Sequence, residues 1–523
     1  MAKKLVSEKS LKKIMQSKNS KLSTLWLPLA IFVLGLAAAI VFWHRFDGNR
    51  QNQITAVFAI ALLAFVVLLL WFVAFSALSR KTRLTTFGAV VVIAIFLVST
   101  LRVRSLSGDL LPVLEWRWSS PALSTDLRTA APQPVHSDLS TRNDYPQFLG
   151  PHRDGQLSGF RLDSDWHAAP PKELWRKPVG AGWSAFAIRG ALAITQEQRG
   201  ELEMVIAYEL TSGTPIWRHG DSTRYEMPLT GVGPHATPTI AGNRVLTLGA
   251  TGILNCLEFA SGEKIWSTQI LADTQAEINS YGISNSPLVI DSLVVVSAGG
   301  AGGKSLVAYH VETGKIVWAA DGMAHSAYSS PMLATLAGIE QIILFNQSEI
   351  SAYVPQTGKM LWRTPWSVVQ AIAQPVILSD DRFFVSSGYG RGGKLYRVWK
   401  NQSDALAIEN LWRTPRLKAK LSNVVHKDGY LYGLDDGVFT CISVDDGQRQ
   451  WKRGRYGHGQ LILVESTILL QAEQGDVVLI EANPNEHNEL ARIPALTSKT
   501  WNHPALAAPY LLVRNDKEAV CFE

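Results

Sequence analysis

Cysteine is scarce: Cys256, Cys441 and Cys521 are the three in a chain of 523 residues. No two are adjacent and no Cys-x-x-Cys occurs, so a disulfide framework, a dithiol redox motif and a cysteine-built zinc site are all without support. Catalytic signatures are equally thin. The chain has no Gly-x-Ser-x-Gly, no His-Glu-x-x-His and no Walker loop of Gly-x-x-x-x-Gly-Lys-Ser/Thr form, which removes the commonest serine hydrolase, zinc protease and nucleotide-phosphate readings. Charge is missing where it would mean most. The long apolar runs 24–43, 54–78 and 85–101 contain no Asp, Glu, Lys or Arg, so nothing marks an intramembrane proton or ion pathway.

The basic balance is local. Residues 1–104 hold 14 Lys/Arg against Glu8 and Asp47, whereas the remainder holds 36 Lys/Arg against 42 Asp/Glu. The formal charge of +6 therefore misdescribes the large C-terminal part, which is acidic. A nucleic-acid-binding protein carries its basic patch on the folded body. Nucleic acid is not an expected partner.

What the chain has in abundance is a repeat. Ser212-Gly213 precedes Ile216-Trp217, and Ser261-Gly262 precedes Ile265-Trp266. The pattern returns as Thr313-Gly314 with Val317-Trp318, Thr357-Gly358 with Leu361-Trp362, and Asp446-Gly447 with Gln450-Trp451. The Gly supplies a positive-φ turn position, and the Ser, Thr or Asp before it bonds back to the turn. Trp175, Trp412 and Ala491 occupy the Trp slot in degenerate copies. The mean interval is about 45 residues, the length of a four-stranded propeller blade. The first Trp strand lacks three strands before it, and the last three strands, near 503–505, 510–514 and 518–522, lack a fourth. They complete each other. The expected fold is an all-β eight-bladed propeller of four-stranded antiparallel blades, preceded by three transmembrane α-helices. The cysteines fit this frame: Cys256 and Cys441 stand ten residues before their Trp, in the slot that Ala207, Ala308 and Ala352 fill elsewhere. They read as small buried residues.

In chain order, residues 1–22 form a basic N-terminus with seven lysines. Residues 23–104 hold three spans, about 24–43, 54–78 and 85–101, each matching a hydrocarbon core of about 30 Å. The basic N-terminus and the basic loop Ser79–Arg83 fall on the same side after two crossings, which the positive-inside rule makes cytoplasmic. The expected placement is a bacterial inner membrane with the propeller periplasmic or extracytoplasmic. Residues 105–143 read as a Pro- and Ser/Thr-bearing linker, with Trp116 and Trp118 at the membrane interface. Residues 144–523 are the propeller.

That body opens on Asp144-Tyr145-Pro146-Gln147-Phe148-Leu149-Gly150-Pro151-His152-Arg153-Asp154-Gly155. With the Gly-x-x-x-Trp turns, this stretch resembles the lead-in of bacterial proteins with PQQ-like propeller repeats. Tyr145, Leu149 and His152 depart from the Trp, Arg and Asn of that pattern. The resemblance covers residues 144–523 and implies the fold. Its functional content is mixed, because the family holds quinoprotein dehydrogenases as well as an outer-membrane-assembly scaffold lipoprotein, and fold does not fix function.

Ligands of a propeller meet the starts of the innermost strands. Those starts read Trp183-Ser184, His235, Asn285-Ser286, Ser329-Ser330, Gln374, Asn423, His458 and Asn502-His503. This ring is polar, nearly uncharged and carries an aromatic wall. Trp183, His235, Asn285, Gln374, Asn423, His458 and His503 are the candidate ligand-binding residues, with Arg391 in the glycine-rich loop 388–393 as an anion contact. The competing reading is that polar residues at strand starts satisfy loop backbone groups. His235, His426, His458 and His503 come from four blades, and no metal site is assigned to them. The resemblance to dehydrogenases implies PQQ held with Ca²⁺, a catalytic Asp and an adjacent Cys-Cys lid. The lid is missing and no oxygen cluster for Ca²⁺ stands out, so no cofactor is evident. The reading that follows is a membrane-anchored binding or scaffold module for a protein or a small polar ligand. The alternatives are a PQQ-dependent membrane dehydrogenase passing electrons to quinone and a ligand sensor that signals through a partner.

Overall fold

The computed structural model describes residues 26–46, 50–76, 78–118, 143–166, 168–300, 304–321 and 326–523. The lysine-rich residues 1–22 and most of the expected linker lie outside these. The chain divides into two compact units, Met1–Pro121 and Ala122–Glu523.

In the first unit the apolar runs form three helices long enough to cross a membrane: α1 (Trp26–Arg45), α2 (Arg50–Phe75) and α3 (Arg80–Thr100). Ser79 caps α3, its side chain accepting from the Thr82 N–H at 3.2 Å, as a hydroxyl should at an N-cap. Arg83 Nη1 donates to the carbonyls of Val73 and Ala74 at 2.8 and 2.9 Å. It thereby satisfies orphan acceptors at the α2 C-terminus and clasps α2 to α3. Directly after α3, β1 (Leu101–Leu106) and β2 (Pro112–Trp116) pair as an antiparallel hairpin, which straddles the expected boundary at residue 105 between the membrane domain and the linker.

The second unit is the propeller. Seven blades follow in chain order over residues 187–221, 239–269, 288–320, 332–365, 376–414, 424–455 and 460–494, each built in simple strand order. The eighth combines the last three strands with Glu173–Pro178, which pairs antiparallel with Glu518–Phe522. The C-terminus therefore closes the ring onto the first Trp strand, as the repeat arithmetic requires. Hydrophobic cores lie between neighbouring blades: one cluster joins Trp175 and Cys521 of blade 8 to Phe186 and Ile206 of blade 1.

The Gly–Trp repeat proves to be an inter-blade device. Each turn Gly packs on the Trp of the preceding blade. A Cβ built on Gly213 would stand 2.6 Å from the Trp175 ring, on Gly262 2.3 Å from Trp217, and on Gly358 2.4 Å from Trp318. The same indoles donate into the next blade: Trp175 Nε1 to Leu210 O at 2.8 Å, Trp217 Nε1 to Phe259 O at 2.9 Å and Trp266 Nε1 to Val311 O at 2.7 Å. Blade 5 has no such turn, and Trp362 of blade 4 donates instead to Gln341 Oε1 at 2.6 Å. The three cysteines are free and buried, each paired across the ladder with its Trp slot: Cys256 with Trp266, Cys441 with Trp451 and Cys521 with Trp175.

Candidate functional site

The innermost strands converge on a central channel, and the lead-in peptide fills one end of it. Tyr145 bridges to Ile188 of blade 1, and the Ile240 N–H of blade 2 donates to Pro146 O at 2.8 Å. Gln156–Leu157 (β3) pairs in parallel with the innermost strand of blade 7. Arg153 is buried at the centre of this plug. Its guanidinium donates to the carbonyls of Pro287 and Ser286, both at 2.9 Å, and to Gln147 Oε1 at 3.1 Å. Among the described residues it has no carboxylate partner, and burial lowers its pKa to about 9. The motif that carries the family resemblance thus packs on the innermost strands of blades 1, 2, 3 and 7.

The strand starts adjoin this peptide, and many of them are spent on holding blades together. The Ala185 N–H donates to Thr237 Oγ1 at 3.2 Å, Thr237 N–H to Ser286 Oγ at 2.9 Å and Ser286 N–H to Ser330 Oγ at 2.8 Å. Gln374 N–H donates to Asn423 Oδ1 at 2.7 Å, and Asn502 Nδ2 reaches the Ser184 carbonyl at 2.8 Å. Asn285 uses its whole amide on the Ser297 backbone, donating at 2.8 Å and accepting at 2.9 Å. For the Ser, Thr and Asn positions, the backbone-satisfying role explains the residue type.

Three candidates are different. His235 and His503 are packed among many neighbours and are partly exposed. Burial lowers the His235 pKa to about 4, with Lys499 adding to the effect, and lowers that of His503 to about 3; both rings are neutral at pH 7. His235 Nδ1 meets Ser284 Oγ at 3.1 Å; the Tyr281 backbone acts on the ring as a weak hydrogen-bond partner, and no hydrogen bond of good geometry reaches Nε2. His503 Nε2 lies 3.3 Å from Asn423 Nδ2, its ring stands edge-on to Phe148 of the plug at 4.9 Å, and its Nδ1 has no partner. Gln374 is buried with both side-chain amide atoms unpartnered. Buried polar atoms are nearly always paired, so three such groups around one channel call for water or a ligand.

Above them lies an aromatic rim. Trp183 donates its Nε1–H to Thr230 O at 2.8 Å, and its ring sits 5.1 Å from Trp501. Lys499 Nζ rests over both rings, at 4.7 and 3.8 Å. Tyr225 stands edge-on to His235 at 5.8 Å, Tyr281 to Tyr328 at 5.8 Å, and Lys420 caps Tyr389 at 4.9 Å. Tyr225 and Tyr389 each sense Tyr281 and Tyr328 electrostatically, which places all four tyrosines in one neighbourhood. The remaining two candidates are His458 and Arg391. His458 is buried, its N–H donating at 2.9 Å to Glu473, whose other oxygen accepts from Trp501 Nε1 at 3.0 Å. Arg391 is half-buried on the turn beside Tyr389. His426 lies on the strand Val424–Lys427 and accepts from the Gly429 N–H at 3.3 Å, which ties it to a turn.

Sequence reasoning missed the tyrosines and the lysines because they sit on connecting loops outside the repeat register. Trp501 was within reach, since it precedes Asn502 as Trp183 precedes Ser184. As for PQQ and Ca²⁺, the donor set does not fit. Nearby carboxylates are engaged, Glu473 as above and Asp435 by Lys418 and Lys452 at 2.5 and 2.6 Å. Among the described residues no group of three or more His, Cys, Asp or Glu is placed to hold a metal ion.

Residues 166–453 match the family described as outer membrane protein assembly factor BamB. BamB of Burkholderia pseudomallei (strain K96243) is 22% identical, the match covering 46% of this chain and 82% of that relative. Among solved structures, the quinohemoprotein alcohol dehydrogenase ADHIIG from Pseudomonas putida HK5 superposes with a TM-score of 0.52 at 12% identity, over 73% of this chain and 81% of its own. BamB from Moraxella catarrhalis gives 0.48 at 14% identity, over 68% and 97%. The likeness to ADHIIG speaks for the fold alone. The sequence match, which spans more than half of the chain, shows that this protein belongs to the outer membrane protein assembly factor BamB family.

Proposed function

We propose that this protein is a membrane-anchored binding or scaffold module. Its helices sit in the cytoplasmic membrane of a bacterium with the N-terminus inside, and its propeller offers the open end of the channel to a protein segment or polar ligand on the other side. The observation that carries this reading is the set of unpartnered polar atoms on His235, His503 and Gln374 beneath an aromatic rim. Uncharged donors and acceptors in a hollow, with flat rings at its entrance, suit a ligand that hydrogen-bonds below and stacks above. Family membership adds protein partners in an envelope-assembly setting.

The test is photocrosslinking in intact membranes from positions 281 and 389 on the rim, with exposed Ile316 on an outer strand as comparator. Discrete adducts from the rim that are lost on Gln374→Ala support the reading; adducts from 316 alone would overturn it. The competing reading is a PQQ-dependent dehydrogenase, favoured by the fold likeness to ADHIIG. Titrating the protein with PQQ, with and without Ca²⁺, separates the two: tight Ca²⁺-dependent binding with dye reduction makes it an enzyme, and absence of binding leaves the scaffold.

A further inference from the structure

We infer that the β1–β2 hairpin lies in the headgroup layer of the outer leaflet, with its apolar face on lipid. The inference rests on the reading that α1–α3 cross the membrane. Its basis is a difference in helix length. At 1.5 Å per residue, α2 with 26 residues is about 39 Å long and α3 with 21 is about 31 Å. The two are clasped at their lower end by Arg83. With the two helices level at that end, the first turns of α2, Arg50-Gln51-Asn52-Gln53, project beyond the end of α3 by about 8 Å. The hairpin begins where α3 stops and runs beside that projection. Asp109 in its turn pairs with Arg50 at 3.7 Å, and the Arg117 N–H after β2 donates back to Thr100 O at 2.8 Å. Gln53, Thr100 and Ser105 are buried at this end. The hairpin is therefore tied at both ends to the depth at which the polar headgroups begin.

Its two faces differ. Cross-strand register sets Leu101 against Trp116 and Val103 against Leu114 on one face, and Arg102 against Glu115 on the other. The second face is ion-paired, Arg102 Nη2 to Glu115 at 2.5 Å and Arg104 Nη1 to Glu115 at 3.4 Å. The first is bare: Val103 is 56% exposed, Leu114 54%, Trp116 45% and Trp118 69%. Trp116 and Trp118 stack at 5.4 Å. An isolated two-stranded hairpin is marginal in water, whereas indole rings favour the membrane interface. The apolar face continues the exposed apolar surface at the end of α3, where Val98 is 71% exposed. Lipid is the occupant that this continuity selects.

The test uses the full chain in phosphatidylethanolamine–phosphatidylglycerol vesicles, carrying one introduced cysteine labelled with an environment-sensitive fluorophore. The native cysteines are buried and burial pushes their thiols up to about 12, so they stay unlabelled at neutral pH. Leu114→Cys reports the apolar face, Arg102→Cys the charged face and Ile93→Cys the interior of α3. The label at 114 should be quenched about twofold more by a nitroxide near the lipid headgroup than by one at the acyl end, with the reverse order at 93 and little quenching at 102. A label at 114 that escapes quenching while 93 is quenched overturns the inference, as does equal quenching at 114 and 102. If 93 also escapes, it is the membrane reading itself that fails.

Discussion

The turn glycines show how one residue serves two purposes. Gly262 adopts φ +72°, and a Cβ there would stand 2.3 Å from the Trp217 ring of the neighbouring blade. Either fact alone penalises a side chain; together they mean backbone strain plus displacement of an indole that donates to Phe259 O at 2.9 Å. Gly262→Ala should cost about 2–4 kcal/mol of folding stability, read as a lowered denaturation midpoint. Gly242 is the internal comparison. Its φ is +55° but its Cβ position is open, so Gly242→Ala should cost only about 1 kcal/mol, the positive-φ term alone. Equal effects at both sites would mean that the Trp contact contributes nothing. The turn role of the glycines was legible in the sequence. The Trp partner was not, because the contacting ring lies some 40 residues earlier, one blade away.

At the scale of elements, the seam between blades 8 and 1 closes the ring. It is held by the strand pairing of Glu518–Phe522 with Glu173–Pro178 and by the ion pair of Arg176 with Glu518 at 2.8 Å. Buried Arg514 adds hydrogen bonds across it, to Thr195 Oγ1 at 2.6 Å, Gln196 O at 3.0 Å and Gly180 O at 2.9 Å. Opening a closed sheet array exposes the cores on both sides of the gap. Deleting Asn515–Glu523 should therefore lower the cooperative unfolding of the entire propeller. Hydrogen exchange should show protection lost in blades 1 and 7 as well as in blade 8. Fraying confined to residues 505–514 and 173–178, with native protection elsewhere, would refute that coupling. The strand pairing itself could be read from an incomplete first repeat and an incomplete last one. The side-chain seam could not, since Arg514 looks like any strand-end arginine until its blade meets the next.

For the whole molecule, three buried titrating groups set opposing pH dependences. The neutral His235 and His503 have folded pKa values of about 4 and 3, below the ordinary 6.5. The unfolded chain therefore binds more protons as the pH falls, and their stabilising effect, complete above pH 6.5, is lost on descent through pH 4 and 3 at about 1.4 kcal/mol per pH unit each. Glu203 acts in the other direction. Burial raises its carboxyl pKa to about 7, against one hydrogen bond from the Ala250 N–H at 3.1 Å. Its contribution, complete below pH 4.5, falls as the pH rises through 7. Thermal unfolding should therefore show a steep acid limb that His503→Gln flattens, while Glu203→Gln raises stability above pH 7 by about 3 kcal/mol. An unchanged acid limb in His503→Gln would remove that ring from the account.

Period, turn chemistry and apolar run length are local properties, and they sufficed to determine eight blades, their closure and three helices that could cross a membrane. They also put His235, Gln374 and His503 at strand starts. What only the tertiary structure decided is which of those polar groups are consumed by neighbouring backbone, as Asn285 is, and which keep an unpartnered atom. It also decided that residues 144–157 turn back onto the innermost strands, and that tyrosines from loops far apart in sequence gather near His235. Hydrogen-bond satisfaction depends on what the next blade brings within about 3 Å, and no spacing along the chain records that distance.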